Sequence, residues 1–179
     1  MTSSQGLLMH GNPSDAARQR RFETLVGEHR DDLFRYAYWL SKDPALAEDV
    51  VQDAMLRAWK SLDSLREDQA AKPWLLTIVR RENARFFERK RLETVDIDEL
   101  VGAPTLHLAT EQDTDTDDMR AAIFALDADY REPLALQVLM GHSTKEIAEI
   151  MGLSNGAVLT RLHRARKKLI DDFDLGESE

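Results

Sequence analysis

Apolar residues recur at three- and four-residue intervals along most of the chain, the period of helices with one buried face. Phe22, Leu25, Val26, His29, Leu33, Tyr36, Ala37 and Leu40 form one such series. Pro44 opens a second, carried by Ala47, Val50, Val51, Ala54, Ala58 and Leu62. Pro73 suits the first residue of a third helix, because that position has no use for the N–H that proline lacks. This helix is expected to bury Leu75, Leu76, Val79, Phe86 and Phe87. Short helices are predicted around Met119–Leu126 and Glu132–Met140, followed by a helical pair. Eight glycines and five prolines give little material for a turn-dense β fold, so the expected class is all-α.

The period fails between Glu93 and Asp118, where Gly102, Pro104 and a DTDTDD run stand among nine acidic and no basic residues. Like charges repel and little there can be buried, which predicts a flexible acidic linker. The expected organisation is therefore a mobile N-terminal tail (1–20), a helical domain (21–92), the linker (93–118), a second helical domain (119–173) and an acidic tail (174–179). Each domain is small and has only a modest core of its own.

The final pair, STKEIAEIMGLSNGAVLTRLHRARKKLI, has the shape of a helix-turn-helix. Ser143 and Glu146 have capping-box spacing, Ile147, Ala148 and Met151 face inward, Gly152 makes the turn and Ser154 caps the second helix. At 100° per residue, Val158, Leu162, Ala165 and Leu169 share one face of that helix, while Gly156, Thr160, Arg164 and Lys167 share the other. Gly156 and Ala157 are small enough to let a backbone come close to DNA. Arg164 has the geometry for a bidentate contact to guanine, and Thr160 can serve several bases. Arg161, Arg166 and Lys168 flank the face and suit phosphates. A helical hairpin with a merely solvated basic face is the plainer alternative.

Composition changes the picture less than charge distribution does. The 179 residues carry a net charge of −9, yet the acidity lies in the linker and the tail. Arg80 to Arg91 holds six basic and two acidic residues, and Arg161 to Lys168 five basic and none acidic. On the third helix Trp74, Arg81 and Arg85 project together, a ring among guanidinium groups that suits unpaired bases, although a tryptophan near a helix start is often core. On the second helix Asp49, Gln52, Asp53 and Leu56 lie away from the apolar stripe. That face suits a protein partner with basic groups, or simply water. No apolar run is long enough for a membrane helix, the first residues do not read as a secretory signal, and the absence of cysteine excludes disulfides and thiol chemistry. The five histidines are scattered and no glycine loop for phosphate is present, so neither an enzyme, a metal nor a cofactor is expected.

In order and spacing, AEDVVQDAMLRAW, KPWLLTIVRREN, the acidic linker and the helix-turn-helix resemble bacterial RNA polymerase sigma factors of the extracytoplasmic-function (ECF) group. The resemblance covers about residues 21–92 and 119–170. It implies a cytoplasmic initiation factor whose first domain is sigma domain two and whose second is sigma domain four. Asp49, Gln52, Asp53 and Leu56 would dock on the clamp helices of the polymerase β′ subunit. Lys72, Trp74, Arg80, Arg81 and Arg85 would capture −10 DNA. Ser154, Gly156, Ala157, Leu159, Thr160, Arg161, Arg164 and Lys167 would read the −35 element, and domain four would also touch the β flap. The linker would thread near the active-site cleft, and an anti-sigma protein would be the inhibitory partner. This chain departs from the family in having Arg81 where asparagine is frequent, Arg85 where a small polar or acidic residue is, and Leu159 where a basic residue is. Leu159 cannot donate to a base, though a thymine methyl is within its chemistry. A stand-alone helix-turn-helix regulator is the rival reading; it leaves the Asp49–Leu56 face and the Arg80–Arg91 helix without a role.

Overall fold

The computed structural model describes residues 13–93 and 114–176, and every element among them is helical. The helices are α1 (Pro13–Ser41), α2 (Pro44–Ser61), α3 (Ala71–Glu93), α4 (Thr114–Ala125), α5 (Ala128–Val138), α6 (Thr144–Met151) and α7 (Asn155–Gly176), with two short 3-10 turns between α2 and α3. Asp43 caps α2, its carboxylate accepting from the N–H groups of Ala45 (2.9 Å) and Leu46 (3.2 Å), with Pro44 in the first helical position. The stripe predicted for α2 is the one buried: Ala47, Val50, Val51, Ala54 and Ala58. It packs with Leu33 and Ala37 of α1 and Leu75, Leu76 and Val79 of α3. A smaller cluster of Leu25, Leu62, Leu65 and Ala71 closes the far end, flanked by Phe22, Trp59 and Trp74.

Several expected boundaries move. Residues 13–20, expected in the mobile tail, belong to α1. Arg18 holds this turn down: its guanidinium lies 4.5 Å from the Trp59 ring centroid, donates to Trp59 O at 2.7 Å and stands 3.4 Å from Asp63. Residues 114–118, expected in the linker, begin α4. Helix α5 begins four residues before Glu132 and carries Pro133 inside it. Helix α7 continues through residues 174–176 of the expected acidic tail. The rest of the N-terminal tail (1–12), most of the linker (94–113) and residues 177–179 lie outside the described residues. In α3, Phe86 is only partly buried and Phe87 is 43% exposed, so the buried face of α3 ends before them although α2 still runs alongside; Leu92 near its end is 74% exposed.

The two helical domains, expected to be joined by the acidic linker, also touch: α1–α3 and α4–α7 share one hydrophobic cluster, with α5 against α1 and α6 against α3. Phe124 lies on Trp39 with ring centroids 4.0 Å apart and on Tyr38 at 5.3 Å, contacts that contribute about 0.5–1.5 kcal/mol beyond their buried area. Buried Arg131 donates to Trp39 O (3.0 Å) and to Leu126 O (2.8 Å). Buried Glu132 accepts from the Tyr36 hydroxyl and from Arg80 Nε, each at 2.7 Å. Burial first, and then the Glu132 charge, hold the Tyr36 hydroxyl well above its ordinary pKa.

His142, between α5 and α6, is also buried, and its Nε2 has no hydrogen-bond partner. Burial lowers its pKa, the charge of Lys72 adds to this, and Glu146 and Asp32 oppose it. The unfolded chain therefore takes up this proton first as pH falls. The stabilisation from His142 is complete above about pH 6.5 and is lost as pH drops from there through the lower folded value. Urea denaturation between pH 7.5 and 5 is expected to show less loss of stability for His142→Gln than for the parent chain. Equal losses would place the pH dependence elsewhere.

Candidate nucleic-acid interface

The helix-turn-helix has the geometry its residues predict. The Ser143 hydroxyl accepts from the Glu146 N–H (3.3 Å) while a Glu146 carboxylate oxygen accepts from the Ser143 N–H (2.8 Å), which completes the capping box. Gly152 takes a left-handed conformation (φ 65°) at the turn, a backbone state that glycine reaches without Cβ strain. Ser154 accepts from the Ala157 N–H at 3.2 Å at the start of α7. Val158, Leu162, Ala165 and Leu169 are buried, and Gly156, Leu159, Thr160, Arg164 and Lys167 are exposed.

The structure sorts the basic residues of α7 into two groups. Arg161 is half-buried with Nη1 3.0 Å from Asp129, Arg166 donates to Gln137, and Lys168 stands 3.7 Å from Asp127 and over the Tyr130 ring. These three tie α7 to α5. Arg164 and Lys167 have no partner among the described residues and point to solvent. Arg161, expected on DNA, thus has a structural occupation that sequence spacing could not reveal.

The basic residues of α3 are divided in the same way. Arg81 and Arg85 are exposed; Arg85 lies 2.7 Å from buried Glu82, which also stands 3.3 Å from Arg57. Trp74 does not stand free beside them but is partly buried against both clusters. Lys72 Nζ is 2.6 Å from Asp32. Arg80 is held by Glu132 from the other block; burial works against its charge, but the carboxylate raises its pKa overall. Arg80 Nε cannot hold Glu132 and a phosphate at the same time.

On α2, Asp49, Gln52, Asp53 and Leu56 are all exposed, Leu56 at 62%, with Asp53 3.8 Å from Arg89. Beside this face runs a groove of about 460 Å³ lined by Phe22, Val26, Met55, Leu56 and Trp59. Phe22 and Trp59 meet edge to face at 5.2 Å. The apolar groove was not legible in the sequence, because Phe22 and Val26 read as ordinary core positions of α1. No group of His, Asp and Glu among the described residues could hold a metal, and no described helix is long and apolar enough to cross a membrane.

Comparison with known proteins places both blocks. The family described as Sigma-70 region 2 matches residues 25–93, and Sigma-70, region 4 matches residues 116–169. The chain is 32% identical to the ECF RNA polymerase sigma factor SigL of Mycobacterium tuberculosis, over 86% of this chain and 89% of that protein. It is 34% identical to the ECF sigma factor EcfG of Rhodopseudomonas palustris, over 81% and 84%. It is 32% identical to the probable sigma factor RfaY of Xanthomonas campestris over 94% of its own length but spans only 45% of that relative. Among solved structures it is similar to the sigma factor RpoE of Bartonella quintana in complex with the anti-sigma factor NepR. The TM-score is 0.75 and the identity 31%, covering 84% of this chain and 94% of that one. It is also similar to CnrH in complex with the cytosolic domain of CnrY, with TM-score 0.63 and 29% identity over 88% and 90%.

Proposed function

Because the chain belongs to the extracytoplasmic-function group of RNA polymerase sigma factors, and so directs core RNA polymerase to promoters, we propose that it divides this task among three exposed faces. The α2 face of Asp49, Gln52, Asp53 and Leu56, with the adjoining groove, docks on the β′ clamp helices. The exposed arginines of α3, Arg81 and Arg85, together with Arg80 once it is released from Glu132, follow the −10 strand. Helix α7 enters the major groove of the −35 element, and its block also meets the β flap. The observation that carries this reading is the division of charge on α7: three basic side chains are spent inside the block, while Arg164 and Lys167 stand free on the face opposite the core. A wholly solvated basic helix would have no reason for that division.

The chain performs no catalysis of its own in this reading, and strand opening is driven by capture of unstacked bases. It acts in the cytoplasm, where polymerase and promoter are. The packed arrangement of the two blocks is a resting form, since Arg80 serves either Glu132 or DNA. An anti-sigma protein that stabilises this form is the expected inhibitory partner; the similar sigma factor RpoE was solved in complex with the anti-sigma factor NepR.

The reading is tested by reconstituting the full chain with core RNA polymerase and a genomic promoter pool. Promoter-dependent initiation is expected, and none from any fragment would overturn it. Arg164→Ala is expected to cost about 1–3 kcal/mol and to relax choice at one upstream base pair, measured by comparing initiation across single-base promoter variants. A uniform loss across all variants would mark Arg164 as a phosphate contact instead.

A further inference from the structure

The middle of the α7 reading face is apolar. Leu159 is 52% exposed and joins no hydrophobic cluster. Its neighbour Thr160 is exposed, but the hydroxyl donates back to Gly156 O at 2.9 Å. That donor is therefore spent inside the helix, and what Thr160 keeps for a base edge is its methyl group and a hydroxyl oxygen that can only accept. Gly156, one turn earlier, presents no side chain and has open space where a Cβ would stand. One turn later the polar chemistry returns with exposed His163 and Arg164. Between a bare backbone and a guanidinium, the helix thus offers a leucine side chain and a threonine methyl.

In the major groove only thymine carries an apolar group, its C5-methyl. We infer that α7 recognises thymine methyl groups through Leu159 and Thr160, and that the upstream promoter element of this chain has A·T pairs at the steps facing them. The inference rests on the reading of α7 as the −35 helix and names the bases it selects. A basic residue at position 159 would seek guanine, so Leu159 shifts preference away from G·C pairs at that step. Leucine also has no polar atom that a wrong base could satisfy, so its contribution is the burial of a methyl, about a fourfold preference per group.

Deoxyuridine pairs like thymidine but lacks the methyl, which gives a direct test. Holoenzyme assembled from the full chain and core RNA polymerase is first used to select promoters from a random-sequence pool. Thymines of the upstream element, on either strand, are then replaced one at a time by deoxyuridine, and open-complex formation is measured. About a fourfold loss is expected at one or two positions. With Leu159→Ala the loss at one of them disappears, while a position read by Thr160 keeps it; Leu159 is exposed and unpacked, so a circular-dichroism melt should be unchanged. An upstream element of G·C pairs alone overturns the inference. So does indifference to deoxyuridine at every position. A Leu159→Ala variant that loses activity equally on both templates overturns it too, and would assign the leucine to a protein contact. If the holoenzyme selects no promoter at all, the broader reading fails with it.

Discussion

Truncating the Glu132 side chain will separate the two helical blocks. Glu132→Ala removes the acceptor of two hydrogen bonds at once, from the Tyr36 hydroxyl and from Arg80 Nε. Tyr36 is fully buried and would lose its partner in a place water does not reach. Arg80 would keep a positive charge beside an apolar seam. Breaking one side of a fully buried ion pair costs about 3–5 kcal/mol. The Arg80 side chain is about a third exposed and can rehydrate, so the expected cost here is nearer 2–3 kcal/mol. Interfaces within a chain resemble transient protein contacts, and a loss of that size removes most of a marginal docking energy. Small-angle scattering should show an increased radius of gyration, and hydrogen exchange should rise at α5 while the buried centre of α2 stays protected. Glu132→Gln keeps an acceptor and loses only the charge, so it should fall between. An unchanged radius for Glu132→Ala would mean that the shared apolar cluster, the Phe124 ring contacts and the Arg131–Trp39 hydrogen bond hold the blocks together without it. The same variant frees Arg80, so binding to a forked −10 duplex should rise rather than fall.

This seam also marks the limit of what the sequence discloses. Helix register was legible wherever burial follows from local spacing: the Ala47–Ala58 stripe, the inward face of α6 and the Val158–Leu169 face of α7 all lie where periodicity puts them. Local spacing carries no signal for Glu132, whose partners lie 52 and 96 residues away. A charged pair followed by proline reads as surface, and only a neighbouring block makes Arg131 and Glu132 interior. Trp74 was ambiguous for the same kind of reason. One projection put it beside Arg81 and Arg85, but the turn that brings Leu62 and Leu65 against it lies off the helix. The basic residues of α7 looked alike in sequence; their division into Arg161, Arg166 and Lys168 on one side and Arg164 and Lys167 on the other depends on where α5 places Asp127, Asp129 and Gln137.

Asp49→Arg should abolish binding to core polymerase without unfolding the chain. Asp49 is exposed and outside the buried stripe of α2, and surface substitutions of this kind usually change stability by less than about 0.5 kcal/mol. At the proposed docking face the expected effect is of another order. The variant replaces an attraction to basic groups with a like-charge contact, which costs several kcal/mol, about a hundredfold or more in Kd. Leu56→Ala tests the apolar half of the same surface: the side chain is 62% exposed in the free chain, and its burial against a partner is worth about 1.5–3 kcal/mol. The two losses should differ in salt dependence. Raising ionic strength weakens the parent interaction and narrows the gap to Asp49→Arg, because screening acts on attraction and repulsion alike. It should leave the Leu56→Ala gap nearly constant. Binding measured by fluorescence anisotropy with labelled chain at two salt concentrations separates these outcomes. Parent-like affinity for Asp49→Arg at low salt would remove the α2 face from the polymerase contact and leave the neighbouring groove to account for docking.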